Sequence, residues 1–233
     1  MRSELGAQLL PSPCSHGFGH EATYASGSLL VVEAALSRPE NLPVGPTGRN
    51  GLGWWGVGTL IVTEGALFGY LLFAYYYTGA TAPIGWLLEK APSLKLALPN
   101  TVLLLLSSLV AWWAERGILR RRRPQALVGF SLVFLMGAVF VAVQSLEWRS
   151  KSYGLGTSSY ASLYFVTTGF HIAHVIVGLV ILVALFSWTA LDFFSPRRRL
   201  VVSAGVFYWH FVDIVWLLVF STYYLTPYLG FGQ

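Results

Sequence analysis

The sequence predicts an all-α integral membrane protein: five transmembrane helices in a bundle, N-terminus cytoplasmic and C-terminus outside. Three observations carry this expectation. Apolar residues fill 55% of the 233 positions and charged residues only 11%, whereas a soluble domain needs roughly 25% charge to cover its surface. Five apolar segments each approach the roughly 20 residues that a bilayer-spanning helix requires. The arginines gather in alternate loops, as cytoplasmic loops do. Lipid is therefore the solvent, and a cytosolic enzyme, a disordered tail and a secreted disulfide scaffold are excluded. Cys14 is the single cysteine, so neither an intrachain bridge nor a Cys-rich metal site is available.

Residues 1–50 are polar and rich in Gly, Pro and Ser, and they read as a cytoplasmic extension. Their best apolar run, Leu29 to Leu36, is broken by Glu33 and lacks the basic start and continuous core of a secretory signal. His16 and His20 share helical spacing there, which is too little for a metal site. Residues 51–233 read as the membrane domain. Its spans are expected at about 54–78, 98–114, 125–148, 160–189 and 201–224. Pro99, Pro124, Pro196 and Pro227 punctuate their ends, where a missing backbone donor does least harm.

Arg116 and Arg120 to Arg123 lie between the second and third spans, and Arg197 to Arg199 between the fourth and fifth. These eight basic residues outweigh the four of the alternate loops, Lys90, Lys95, Arg149 and Lys151. The formal charge of +5 accordingly reports topology rather than nucleic-acid binding. No internal repeat appears, which disfavours an inverted-repeat transporter. Trp54, Trp55, Trp112 and Trp113 sit at helix ends as interfacial anchors.

Ionisable residues inside the spans carry the functional argument, because lipid cannot hydrogen-bond a charge. Glu64 lies near the middle of the first span. It is either a proton-linked or lipid-contacting carboxyl, or a neutral acid hydrogen-bonded between helices. Gly65 and Gly69 beside it form a GxxxG step suited to close packing. In the fourth span Thr167, His171, His174 and Gly178 fall on one stripe, next to Thr168, so both histidines are expected to face one partner. In the fifth, His210 and Asp213 are three apart and able to hydrogen-bond. Six-coordinate haem needs ligands on opposite faces, so His171 or His174 with His210 is the remaining geometric option. A metal-free inter-helix polar network of Thr168, His171, His174, His210 and Asp213 asks for less. Gln144 and Glu147 make an outer-end polar pair, read as part of an interfacial ion pair. Glu115 reads as an interfacial carboxylate beside the basic loop. No nucleotide loop, nucleophile triad or zinc signature occurs, so no catalytic or metal residue is assigned.

Two long motifs then become recognisable. Thr168-Gly169-Phe170-His171 with His174-Val175-Ile176-Val177-Gly178, and Tyr208-Trp209-His210-Phe211-Val212-Asp213-Ile214-Val215-Trp216, are similar to the signatures of the last two helices of the cytochrome c oxidase subunit 3 family, subunit III of the haem-copper terminal oxidases. Asn100-Thr101 through Ser107-Ser108, Gln144 with Glu147-Trp148, and Thr63-Glu64 match in order. The resemblance spans roughly residues 54–225 and is to the short five-helix form, without the first two helices of the longest members.

The resemblance implies a subunit that carries no redox centre of its own. Haem and copper would sit in partner subunits, with this chain packed directly on oxidase subunit I in a complex with subunit II or further respiratory subunits. It would support proton uptake, stability and lipid organisation while the complex reduces O₂ to water and pumps protons. Bound phospholipid, and a bacterial or archaeal cytoplasmic membrane, are implied with it. The competing expectations are an accessory subunit of a nitric oxide reductase, a haem b membrane anchor, and a proton-coupled transporter built around Glu64.

Overall fold

In the computed structural model, residues 52–82, 85–88, 93–192 and 200–232 are described. The extension of residues 1–50 with Cys14, His16 and His20, together with Lys90 and Arg197 to Arg199, lies outside them. The described chain forms five helices: α1 (Leu52–Thr81), α2 (Leu94–Leu119), α3 (Arg123–Ser150), α4 (Ser159–Ala190) and α5 (Leu200–Phe220). All five are long and apolar enough to cross a membrane.

The first four helices outrun their expected spans, whereas α5 ends at Phe220, short of the expected 224, and the ends show why. α2 starts at Leu94, so Pro99 lies inside it rather than at its end. The missing donor falls in the outermost turns, where the exposed backbone around Lys95 is open to water. Pro124 occupies the first turn of α3, where no intrahelical donor is needed. Ser158 caps α4 by accepting from the Ala161 amide at 3.1 Å. Past α5 the chain widens into a π-helical turn (Ser221–Leu225) and then tightens into a 3₁₀ turn (Thr226–Leu229). The wide turn lets Thr222, Tyr223 and Tyr224, consecutive in sequence, all be buried.

α2 packs on α3 and α5, α3 on α4, and α4 on α5, closing a ring of four helices; α1 lies against α4 and α5. The ring is tied by bulky side chains set against glycines. The indole of Trp209 lies against both Gly137 of α3 and Gly178 of α4, where an added Cβ would come within 2.6 and 2.8 Å of it. The Gly65/Gly69 step does not work this way. A Cβ at Gly69 would meet nothing within 4 Å, and one at Gly65 only Phe211 at 3.9 Å. α1 is peripheral, with 6% of its apolar window buried against 44% for the last span.

Candidate functional site

Polar side chains inside the bundle fall into several separate groups rather than one network, among them Thr167 with Tyr223 and Tyr75 with Thr226, each at 2.9 Å. Another joins α1 to α4. His174 Nε2 lies 3.0 Å from Glu64 Oε2, and its Nδ1 lies 2.7 Å from the Phe170 carbonyl. A carbonyl only accepts, so Nδ1 carries a hydrogen. One further proton must then lie between Nε2 and the carboxyl. The pair is imidazolium–carboxylate or imidazole–carboxylic acid, and either form fills the same bond. Tyr208 approaches from α5 and donates to the His174 carbonyl at 3.2 Å.

His171, one turn away, has a different environment. It is wholly buried, with Trp216 tilted over it at 4.9 Å and Phe140 and Phe68 edge-on at 5.7 and 6.4 Å. Neither ring nitrogen has a hydrogen-bond partner. Phe68 of α1 stands edge-on to both histidines, but they share no polar partner: His174 reaches Glu64, whereas His171 lies between Phe140 and Trp216.

A further cluster crosses from α2 to α5. Ser108 donates to Asp213 Oδ2 and accepts from His210 Nδ1 at 2.8 Å. His210 and Asp213 are thus joined through a serine of the neighbouring helix, not directly. The same seam holds a repeated device. Ser107 and Thr101 give their hydrogens to carbonyls of their own helix and accept the indoles of Trp209 and Trp216, at 2.9 and 3.0 Å. One hydroxyl so satisfies two groups that lipid would leave unpaired. Thr168 repeats it, accepting from Trp148 at 3.2 Å and donating to the Tyr164 carbonyl. It takes no part in the histidine contacts. Glu115, expected at an interface beside the arginines, accepts from Ser203 at 2.5 Å, lower on the same seam.

A last cluster closes the end opposite the arginines. Glu147 accepts from Tyr224 at 2.5 Å and pairs with Lys151 at 3.8 Å. Tyr164 lies 3.1 Å from Tyr224, and Gln144 is buried one turn below. Glu147 pairs with Lys151 rather than standing at an exposed interface, the two side chains being only 6% and 7% exposed. Two tyrosines cover it.

The three histidines differ in polar partner: His174 has Glu64, His210 has Ser108 of α2, and His171 has none. Among the described residues no group of three or more His, Cys, Asp or Glu is placed to hold a metal. What the arrangement does chemically is fasten helices, with one hydrogen bond joining Glu64 to His174.

The pattern built by these residues matches a known family. The family described as cytochrome c oxidase subunit III matches residues 32–228. The chain belongs to the cytochrome c oxidase subunit III family. Among its relatives, cytochrome c oxidase subunit 3 of Gallus gallus is 33% identical over 187 residues, covering 77% of this chain and 71% of the relative. That of Coturnix japonica is 32% identical over the same length and coverage. That of Patiria pectinifera is 29% identical over 199 residues, with 82% and 74% covered. The subunit III match starts at residue 32, ahead of α1 and within the segment read as an extension. As a subunit III, the chain is a multi-pass membrane member of an oxidoreductase complex with other oxidase subunits.

Sequence reasoning passed over Ser108 as the bridge, and Tyr164 and Tyr224 as the partners of Glu147. The available signal was a hydroxyl in an apolar helix facing a tryptophan- or histidine-bearing one. Only the packing shows which faces meet.

Proposed function

We propose that this chain is the non-redox subunit III of a proton-translocating haem-copper terminal oxidase, packed on catalytic subunit I. Haem and copper belong to the partner subunits, and the chain itself contributes no catalytic centre. Its part is to support proton uptake, to hold the complex together during turnover and to organise phospholipid. The observation that carries this reading is the family match over residues 32–228. The polar side chains are in keeping with it, since Glu64, Ser108, His174, His210 and Asp213 bond between the chain's own helices. Relatives named as cytochrome c oxidase subunit 3 favour cytochrome c as the electron donor. The proposed setting is a bacterial or archaeal cytoplasmic membrane, and the charge asymmetry of the arginine loops supports only their orientation toward the inside.

The test is co-purification. The C-terminally tagged chain, extracted from its own membranes in mild detergent, is expected to bring a multi-helix partner with haem absorbance and O₂ uptake driven by reduced cytochrome c. A partner that reduces nitric oxide instead, or haem carried by the chain alone, overturns the reading.

A further inference from the structure

Along α5, Ser203, His210, Ile214 and Leu217 fall on one helical stripe. On one side of it Trp209 and Asp213 meet Ser107 and Ser108 of α2. On the other, Phe207 lies edge-on to Trp54 of α1 at 5.9 Å, and a Cβ on Gly65 would lie 3.9 Å from Phe211. α1 and α2 each pack on α5 but are not among the helix pairs that pack on each other. The stripe is therefore an open strip between them, and Ile214 on it is 58% exposed.

Apolar side chains on such a strip can face lipid, but two groups here cannot. His210 lies at the midpoint of α5 and is only partly buried. Ser108 gives its hydrogen to Asp213 and accepts from Nδ1 of His210, so Nδ1 carries the ring hydrogen. That leaves Nε2 of the neutral ring as a bare acceptor. Nearer the arginine turn, Ser203 fills one oxygen of Glu115 at 2.5 Å, and Glu115 too is only partly buried. Its other oxygen, in the carboxylate, is a second acceptor. Among the described residues neither atom has a hydrogen-bond partner, and hydrocarbon supplies no donor. Glu115 follows Ser108 by seven residues and Ser203 precedes His210 by seven, so the two acceptors stand ~10 Å apart along the helices.

We infer that this strip of α5, with the facing edge of α2, seats one transmembrane helix of a partner subunit, which donates hydrogen bonds to His210 Nε2 and to the second oxygen of Glu115. The inference rests on the chain's proposed place in an oxidase complex. Both open atoms accept, so the partner helix carries two donors on one face, two turns apart. A hydroxyl, amide or indole suits His210, and a lysine or arginine suits Glu115, whose carboxylate favours a cation. Polar pairs of this kind join helices in a membrane, where lipid cannot compete for them.

Photo-crosslinking in native membranes tests the inference on the intact complex. Benzoylphenylalanine is placed at Ile214 or Leu217 on the strip, and at Leu135 or Val180 on the exposed faces of α3 and α4. Ile214 and Leu217 are expected to join the same partner subunit, through a membrane helix bearing two donors two turns apart. Cross-links from the strip to lipid alone, or to residues 1–50 of this chain, overturn the docking, as does a partner helix without those donors. A partner that co-purifies but is cross-linked only from Leu135 or Val180 overturns the strip and leaves the complex standing. No partner at all overturns both. In the purified complex, His210→Leu combined with Glu115→Leu should lower the partner's yield about tenfold, since each inter-helix hydrogen bond in a membrane contributes about threefold. His210→Gln combined with Glu115→Gln keeps an acceptor at each place and should retain the partner. Equal loss from the two double variants would mean that these side chains serve only the fold of this chain, and overturns the hydrogen bonds to a partner.

Discussion

Glu64 and His174 share the hydrogen bond that joins α1 to α4, and the Phe170 carbonyl takes the other imidazole nitrogen. An amide keeps that bond, because glutamine can donate to the imidazole nitrogen or accept from it. Glu64→Gln is therefore expected to leave assembly and the haem content of the purified complex intact while removing the titratable carboxyl. Infrared difference spectra of the complex would lose a carboxyl band. Loss of assembly would mean the charge itself holds α1. His171 makes the opposite case. Its ring nitrogens gain nothing in the aromatic box, and a buried polar group without a partner costs stability. His171→Phe should thus be neutral or stabilising in denaturant unfolding of the detergent-solubilised chain. His171→Ala, which opens a cavity, should lose about 3–5 kcal/mol. Strong destabilisation by phenylalanine would reveal a polar partner for this imidazole.

Helices here are joined by a few shared hydroxyls and by tryptophans seated on glycines. Ser108 is the only link through which His210 and Asp213 meet. Ser108→Ala strands two polar groups on α5 and should cost about 1–3 kcal/mol, although inter-helix hydrogen bonds in membranes average nearer 0.6 kcal/mol. A double-mutant cycle of Ser108→Ala with Asp213→Ala should show coupling, and additive effects would refute the bridge. Glycines at element contacts divide in the same way. Gly178→Ala forces a Cβ to within 2.8 Å of the Trp209 ring and should lose about 1–3 kcal/mol through overpacking. Gly69→Ala meets open space and should be neutral or gain up to about 1 kcal/mol from helix propensity. Unfolding midpoints of the two variants decide. Both glycines sit in similar sequence surroundings, so the difference lies wholly in which helix faces which.

For the whole molecule, the asymmetry of basic loops predicts that reporters fused after Gln233 are active outside the membrane and those inserted at Arg122 only inside. The reverse pattern would overturn the positive-inside assignment of this chain. Five spans and their order were determined by the sequence alone, because a bilayer imposes a minimum apolar length and forbids unpaired backbone. Helix ends were less legible. Pro99 falls inside α2 and the last turn widens at Tyr223 and Tyr224, since water at a helix end and burial of neighbouring residues override local preference. The family, too, was readable in the Thr168–Gly178 and Tyr208–Trp216 motifs. Which side chains meet was not. Periodicity places His171 and His174 on one stripe, yet one faces an aromatic box and the other a carboxyl. His210 and Asp213 can bond at three-residue spacing, yet a serine about 100 positions away stands between them. A helical period fixes direction around its own axis and contains nothing about the neighbour found in that direction, so the pairings were decided only when five helices packed.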